Sequence, residues 1–488
     1  MTERVGIIDL GSNSARLCIY EIYANNSYRP VFEMKQNVRL AHNMADDGRI
    51  TPEGIARAIS CAKLFFHAGT LHGVSRWIPV ATAAVRQARN RDQVLDALER
   101  EANIRFRVLS GEEEGHYGFL GVVNTVAIKD ALLFDIGGAS SELTLVHNRR
   151  LTHVVSVPFG ALNLTEMFRE YPDKDAGDLI RDFMSAQFEA VDWIHETDGL
   201  PLVGLGGTAR ALAKLDLWRR QERAIRVHGY PVHREAVVES FQQMKCLPAT
   251  KRRKIKGLSG NRSEIIVAGL AAVVALLDTM GGQDITVSRS GLRDGVFYEH
   301  LLKGTNFPVV GSVLEHSLTN FQKVYHVDRQ VANVVTNAAL RLFDGLSSIH
   351  GLDEHARQLL YITAQIESCG CYINTEKWTV HSAYLAVGSN LYGPTYPELL
   401  EIADLLNGKG DERLRKLSVL IRLAKTLTLQ LGIVPDMIAC EVNGNDVLVG
   451  RAYDIREIVK ASSEADLADT FQDMFGYRLV YEDFTDIR

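Results

Sequence analysis

The sequence predicts an α/β protein of several domains, and three patterns support this. An apolar strand, an Asp, a turn with Gly and Ser, and a second strand occur in this order twice, at residues 5–22 and 131–148. An unbroken apolar run at residues 265–277 is too short to span a bilayer and predicts a buried helix. Beyond residue 306, apolar residues recur at helical spacing. At about 150 residues a domain, the 488 residues suffice for three or four domains.

The composition is that of a soluble globular protein, with 46% hydrophobic and 23% charged residues. The six cysteines are scattered, without the paired spacing of zinc sites or of a disulfide framework. The first predicted strand begins at Val5, which leaves no room for an export signal. We therefore expect a cytoplasmic protein that does not contact a membrane.

The charge balance bears on possible partners. A net charge of −6 argues against nucleic-acid binding, which depends on many phosphate contacts by Lys and Arg. A polyanion site must then be local. The basic run KRRKIK at residues 251–256 has two interpretations, a solvated helix end or a surface that guides a long polyanion toward the site.

The two copies of the strand–turn–strand pattern match position by position. Asp9 corresponds to Asp135, and Gly11 to Gly137. Glycine lets the backbone turn its amides toward one point, which forms a nest for phosphate oxygens. One such turn could belong to an ordinary hairpin, but two facing nests could hold both sides of a phosphoanhydride. The repeat predicts phosphate binding.

A third glycine cluster occupies residues 202–212 and opens a helical pattern. Gly206, Gly207 and Thr208 would lie at a helix N-terminus, where free amides favour an anion. The alternative is a turn needed only for packing a strand against a helix.

Charged residues that could perform chemistry lie between the two hairpins. Arg86 follows an apolar strand, where it could meet an anionic ligand. Further along, Ser110 is expected to cap a helix that carries glutamates 112–114 in its first turn. Acidic residues there also stabilise the helix dipole, so two of the three could be structural.

Eight motifs carry a resemblance to a known family. IDLGSNS, ATAAVRQA, SGEEEG, FDIGGASSEL, VPFGALNLTE, GLGGTARAL, SEIIVAG and SGLRDG occur in the order typical of the exopolyphosphatase / guanosine pentaphosphate phosphohydrolase family. The resemblance implies two ribonuclease-H-like lobes of the actin-like ATPase and sugar-kinase superfamily, with the active site in the cleft between them. It also implies an HD-like helical domain and a small α+β C-terminal domain. The corresponding boundaries are residues 1–125, 126–305, 306–432 and 433–488.

The resemblance also implies roles for single residues. Glu114 would be the catalytic residue that orients and deprotonates the attacking water. Asp135 and Glu142 would assist catalysis and hold a divalent cation such as Mg²⁺. Arg86 would contact the terminal phosphate. The other residues expected to bind phosphate are Asp9, Gly11, Ser12, Asn13, Ser14, Gly137, Gly138, Ser140, Ser141, Gly206, Gly207 and Thr208.

The expected substrate is inorganic polyphosphate, with guanosine pentaphosphate as the alternative, and the resemblance suggests a homodimer. Two other classes share the paired hairpins. A kinase or chaperone-type ATPase would bind adenosine beside Gly206, and a kinase would need a catalytic Asp in place of the SGEEEG helix. A catalytically silent alarmone- or nucleotide-binding regulator is disfavoured because Glu114, Asp135 and Glu142 are intact.

The chain departs from the family pattern at several positions. Ala139 replaces a glycine of the second turn, and Leu205 replaces a threonine. In the helical domain, Glu367 and Ser368 stand where the metal-binding His and Asp are expected. We therefore expect this domain to be a scaffold or a dimer interface rather than a second metal site. In the C-terminal domain, Ser462 or Ser463 is expected to cap a helix.

Overall fold

The computed structural model describes residues 2–45, 47–222, 224–258, 260, 262–282, 284–430, 432–451 and 465–483. The chain forms two compact units, Met1–Val313 and Leu314–Arg488.

The first unit contains two β-sheets of related topology. The strands of the first sheet are β1 (Glu3–Leu10), β2 (Ala15–Ile22), β3 (Tyr28–Gln36), β4 (Arg76–Ala81) and β5 (Arg107–Val108). Those of the second are β6 (Ala131–Ile136), β7 (Ser141–His147), β8 (Arg150–Val157), β9 (Leu202–Leu205), β10 (Tyr230–His233) and β11 (Asp284–Val287). The order is β3-β2-β1-β4-β5 in one sheet and β10-β11-β9-β6-β7-β8 in the other. Each sheet thus has an antiparallel three-stranded meander joined to parallel strands, which is the arrangement of a ribonuclease-H-like lobe. The second sheet ends with β10, which pairs antiparallel with β11.

Eleven α-helices accompany the sheets in the described part of this unit. They are α1 (Pro52–Leu71), α2 (Ala83–Gln87), α3 (Arg91–Ala102), α4 (Gly111–Val123), α5 (Ala161–Met167), α6 (Asp173–Glu189), α7 (Gly206–Arg219), α8 (Arg234–Lys245), α9 (Ala249–Arg252), α10 (Arg262–Met280) and α11 (Leu292–Leu301).

Both predicted hairpins form. In the first, Asp9 pairs with Arg16 across β1 and β2. In the second, Asp135 pairs with Glu142 across β6 and β7. Each Asp is the last residue but one of its strand, so both carboxylates lie beside a turn. The predicted repeat is therefore a repeat of structure.

Helix α10 contains the apolar run that the sequence singled out. By length and composition it could cross a membrane, but most of it is buried inside the unit. It packs against α5, α6 and α8, which explains why it is apolar on nearly every side. The prediction of a buried helix is confirmed.

Helix α11 returns the chain to the first sheet. It packs on α4 and on β1, and the Tyr20 hydroxyl of the neighbouring strand β2 donates to the Asp294 carboxylate over 2.9 Å. Helices α4 and α11 can approach this closely because Gly295 has no side chain. A Cβ there would lie 1.9 Å from the carbonyl oxygen of Tyr117. The boundary between the two predicted lobes, residues 1–125 and 126–305, stays a prediction.

The second unit is helical, with one small sheet. Its described helices are α12 (Val313–Val324, which begins at the end of the first unit), α13 (Arg329–Gly345), α14 (Ser347–His350), α15 (Glu354–Ile366), α16 (Trp378–Gly388), α17 (Tyr396–Leu406), α18 (Glu412–Lys425) and α19 (Ala465–Phe475). The sheet consists of β12 (Ala439–Asn443), β13 (Asp446–Arg451) and β14 (Arg478–Asp483), in that order. The predicted cap at Ser462 or Ser463 lies outside the described residues.

Glu367, which the resemblance matched to a metal-binding His, is paired with a cation. Its carboxylate accepts from the Lys425 ammonium at 3.0 and 3.1 Å, and that ammonium lies 4.4 Å from the centre of the Trp378 ring. Among the described residues, no group of three or more His, Cys, Asp and Glu side chains is arranged to hold a metal ion. The described part of the second unit thus contains an ion pair at this place.

Candidate active site

The two hairpin turns and the start of α7 surround one cavity of 180 Å³. The described residues that line it come from both sheets. They include these sequence-predicted site residues: Asp9, Gly11, Ser12, Asn13, Ser14, Glu114, Asp135, Gly137, Gly138, Ser140, Glu142, Gly206 and Gly207. The fold thus brings together residues that are up to about two hundred positions apart in the chain.

Both turns are tight for the same reason. A Cβ on Gly11 would lie 3.0 Å from the Ser14 carbonyl oxygen, and one on Gly137 would lie 2.9 Å from the Ser140 carbonyl oxygen. Neither turn could hold a larger residue there without shifting. The amide of Gly137 donates to the Ser140 carbonyl over 2.9 Å, which closes the second turn.

Helix α7 begins at Gly206, where the sequence predicted a helix N-terminus. Gly206 has a φ of +74°, and a Cβ there would lie 1.9 Å from Oδ1 of Asp135. Glycine is needed for the backbone conformation and for the close approach of this carboxylate. The free amides of the first turn and the helix dipole therefore face the cavity beside Asp135.

Three residues predicted to bind phosphate do not line this cavity. The Ser141 hydroxyl donates to the Phe159 carbonyl over 2.6 Å, and the Thr208 hydroxyl donates to the Ile136 carbonyl over 3.0 Å. Both side chains are buried and stabilise the loops behind the turns. In this structure their hydroxyls hold the backbone, and their role as phosphate ligands stays a prediction. Ser140 does line the cavity, and its side chain is hydrogen-bonded to Glu142.

Arg86 is the third. Its Nη1 donates to the Glu114 carboxylate and, over 2.8 Å, to the Leu109 carbonyl. Arg86 therefore contacts the predicted catalytic glutamate in this structure, and its role as a phosphate ligand stays a prediction.

Glu114 is the only one of the three consecutive glutamates that reaches the cavity, within the part of the chain that the structure describes. Glu113 accepts from the Ser110 amide over 2.8 Å, while the Ser110 hydroxyl accepts from the Glu113 amide over 3.0 Å. This capping box fixes the start of α4. Glu112 is exposed. The expectation that two of the three glutamates are structural agrees with these positions.

Burial changes the acidity of the carboxylates around the cavity. It raises the pKa of Glu114 well above its usual value; the nearby Glu142 adds to this rise and Arg86 opposes it. Burial, reinforced by Asp135, raises the pKa of Glu142 to about 7, although hydrogen bonds from Ser140 and Ser156 favour its charged form. Burial also raises the pKa of Asp9 and of Asp135. A negative charge on these buried carboxylates is therefore unfavourable until a cation binds beside them.

Sequence reasoning missed most of the cations around the cavity. Arg16, Lys35, Arg210 and Arg262 line it, and Arg293 approaches Asp9, with 3.9 Å between its Nε and the Asp9 Oδ2. Burial and mutual repulsion lower the pKa of Arg16 to about 10, of Arg210 to about 9 and of Lys35 to about 8. A bound anion would relieve this repulsion. Two signals were available: Arg16 closely follows the first hairpin turn, and Arg210 follows the glycines of the third glycine cluster.

A second, larger cavity of 860 Å³ adjoins the first. The two share Arg16, Lys35, Gly207, Arg210 and Arg262. Four further cations line only the larger one: Lys214, Arg226, Lys256 and Arg289. Glu222 is the single acidic side chain among its described lining residues. Its wall also includes the half-exposed Trp218 and Ile225.

The basic run at residues 251–256 is not uniform. Arg252 is buried and donates to Asp173 over 2.7 Å. Lys256 is exposed and lines the larger cavity, while Lys251 is exposed outside it. Neither interpretation of the run describes all six residues.

A cleft with two matching glycine turns, buried carboxylates and many cations is typical of an enzyme that acts on phosphoric anhydrides. The profile of the Ppx/GppA phosphatase family matches residues 18–304, and that of its domain III matches residues 313–428. The chain therefore belongs to the Ppx/GppA phosphatase family, whose members are hydrolases. The resemblance drawn from the eight motifs is confirmed.

Two curated relatives are named guanosine-5′-triphosphate,3′-diphosphate pyrophosphatase. The one from Pseudoalteromonas atlantica is 28% identical over 401 residues, 78% of this chain and 75% of its own. The one from Photobacterium profundum is 27% identical over 412 residues, 82% of this chain and 79% of its own.

Solved structures agree with the fold. A Ppx/GppA family member from Aquifex aeolicus is 27% identical with a TM-score of 0.56, and the match covers 63% of this chain and 100% of that one. An exopolyphosphatase from Cytophaga hutchinsonii is 25% identical with a TM-score of 0.57, and the match covers 62% of this chain and 99% of that one. The predicted α/β fold is confirmed.

Proposed function

We propose that this protein is an exopolyphosphatase that releases the terminal orthophosphate of inorganic polyphosphate. The observation that carries the proposal is the single 180 Å³ cavity on which both hairpin turns, Glu114 and several cations converge. Two facing turns suit a phosphoanhydride, which places one phosphate on each side of the bond to be broken. The likeness to the exopolyphosphatase from Cytophaga hutchinsonii supports this choice.

The carboxylates fit a divalent cation. Asp135 and Glu142 are neighbours across the second hairpin, and burial raises the pKa of both. We propose that these two residues hold Mg²⁺, with water and phosphate oxygens as its remaining ligands. The cation would neutralise charge on the transferred phosphoryl group.

Glu114 would orient the attacking water and accept its proton. The water oxygen forms a bond to the terminal phosphorus, while the bond to the bridging oxygen breaks and the shortened chain leaves with that oxygen. The amides of Gly138 and of the start of α7 would donate to the phosphate oxygens, while the Gly137 amide closes the second turn. Arg86 keeps Glu114 in place through its ion pair and would reach the terminal phosphate once substrate enters.

Guanosine pentaphosphate is the second candidate, and one observation favours it. The 860 Å³ cavity beside the site combines many cations with the half-exposed Trp218 and Ile225. Cations would suit a second phosphate group, and a tryptophan could stack on a nucleobase, whereas polyphosphate has no apolar part. The names of the two curated relatives point the same way.

The test is release of orthophosphate from long-chain polyphosphate, tripolyphosphate and guanosine pentaphosphate, each with Mg²⁺ and with a chelator. We expect release from long-chain polyphosphate with Mg²⁺ and little with the chelator. Release from guanosine pentaphosphate alone would make the second candidate the function. No release from any substrate would contradict both.

The cytoplasmic location, the homodimer and the lack of nucleic-acid and membrane partners remain proposals. Light scattering of the purified chain tests the dimer. Calorimetry with ATP tests the kinase or ATPase alternative, for which tight binding would be expected. A regulator without activity would bind guanosine pentaphosphate and release no phosphate from it.

A further inference from the structure

A recess of 40 Å³ lies beside the active-site cavity. Glu114, Asp135 and Glu142 line both of them, so the recess continues from the cleft at these carboxylates. Its other walls are mainly apolar and include Leu205. A single water needs about 10–15 Å³ of such space. The recess is therefore large enough for an ordered water.

Two glycines of α4 create this recess. Gly118 follows Glu114 by four residues and so lies on the same face of the helix, one turn further along. Because Gly118 has no side chain, space remains open beside the carboxylate. At Gly115, a Cβ would lie 2.3 Å from Cγ2 of Val154 and 3.1 Å from Oγ1 of Thr144, so glycine lets the β7–β8 hairpin approach α4.

Thr144 lines the recess and is 3% exposed. Its hydroxyl has no hydrogen-bond partner among the residues that the structure describes. The neighbouring hydroxyls of Ser141 and Thr208, by contrast, donate to backbone carbonyls. The Thr144 hydroxyl on the wall of the recess is therefore available to hydrogen-bond a molecule inside it.

We propose that the recess binds an ordered water, held between the Thr144 hydroxyl and the carboxylates of Glu114 and Glu142. Water can donate to both carboxylates and accept from the threonine, which satisfies all three groups. Bound there, it fixes the orientation of Glu114 toward the cleft. The water is thus a positioning element for the proposed hydrolysis, and this role rests on the proposed function.

Gly118→Ala tests the proposal by filling the recess. The new methyl group would meet Cδ2 of Leu205 at 3.6 Å, an ordinary contact, so the fold can accept it. Alanine is also favoured over glycine inside a helix by up to about 1 kcal/mol. We expect kcat to fall about tenfold with KM unchanged, because a displaced catalytic group slows turnover. Tm should stay the same or rise, and a merely structural role would not lower kcat in a more stable protein.

Thr144→Val removes the hydroxyl and keeps the shape of the side chain. We expect the same loss in kcat with unchanged KM. The matched control is Thr152→Val on β8, where the hydroxyl donates to the Leu145 carbonyl over 3.1 Å away from the recess. This control should keep the wild-type kcat.

High-resolution crystal structures of the wild type and of Gly118→Ala give a readout that does not depend on activity. The wild type should show a water within hydrogen-bond distance of the Thr144 Oγ1, and Gly118→Ala should lack it. An empty wild-type recess, or a wild-type kcat for Gly118→Ala, would overturn the proposal. If the wild type releases no phosphate from any substrate, the proposed function fails, while the crystal structures still decide whether the water binds.

Discussion

Glu114 is the residue on which the proposed chemistry depends most. Glu114→Gln keeps the size of the side chain but cannot accept a proton, so we expect turnover to fall by about 10²–10⁴-fold with polyphosphate binding retained. Steady-state kinetics and a binding assay measure the two effects. Glu112→Gln, on the exposed side of the same helical turn, is the control and should be fully active. Near-normal turnover of Glu114→Gln would remove this residue from the role.

The charged form of Glu142 should lower the free energy of unfolding, because its carboxylate is buried in the site. Its pKa is about 7 in the folded protein and near 4.5 when unfolded, so the folded state holds the proton more tightly. The destabilisation is therefore absent below pH 4.5, grows as pH rises toward 7 and then stays constant. We expect Glu142→Gln, without metal or substrate, to be more stable than the wild type by about 1–3 kcal/mol at pH 8 and by little at pH 5. Thermal unfolding at both pH values checks this; equal Tm values at pH 8 would contradict it.

At the scale of elements, the start of α7 depends on Gly206. Alanine there must adopt a positive φ and would also displace the Asp135 carboxylate. Gly199 has the same φ of +74° but nothing within 4 Å of the added methyl group. Both substitutions should lower stability by about 1 kcal/mol through the backbone, and only Gly206→Ala should cost more and abolish phosphate release. If Gly206→Ala and Gly199→Ala lower stability and phosphate release equally, in urea unfolding and activity assays, the close contact between Gly206 and Asp135 is not important.

The elements also show what sequence patterns can and cannot reveal. The hairpins and the capped start of α4 were predictable because their patterns are local: Asp, Gly and Ser in a fixed order, or Ser110 followed by Glu113. The directions of the Ser141 and Thr208 hydroxyls were not, because nearby carbonyls from other segments decide them. Arg262 and Arg293 reach the site from distant parts of the chain, and only the fold reveals them. The roles of Glu114, Asp135 and Glu142 stay predictions that the experiments above address.

At the scale of the whole molecule, a net charge of −6 coexists with a strongly cationic region beside the site. Polyphosphate binding should therefore weaken with salt, with KM for the long-chain form rising at least several-fold between about 50 and 200 mM. Lys256→Gln should reduce this dependence because Lys256 lines the larger cavity. Lys251→Gln removes the same charge from the same basic run outside that cavity and serves as the control. Identical salt dependence in both variants would mean that the larger cavity does not bind the chain.

Hydrolysis in oxygen-18-labelled water tests the central claim most directly, because it shows which phosphorus the water attacks. Mass spectrometry of the products formed from polyphosphate, or from guanosine pentaphosphate if that is the substrate, locates the label. Attack on the terminal phosphorus in the cleft predicts one water-derived oxygen in every released orthophosphate and none in the shortened product. Label in the shortened product, or orthophosphate without label, would contradict the account.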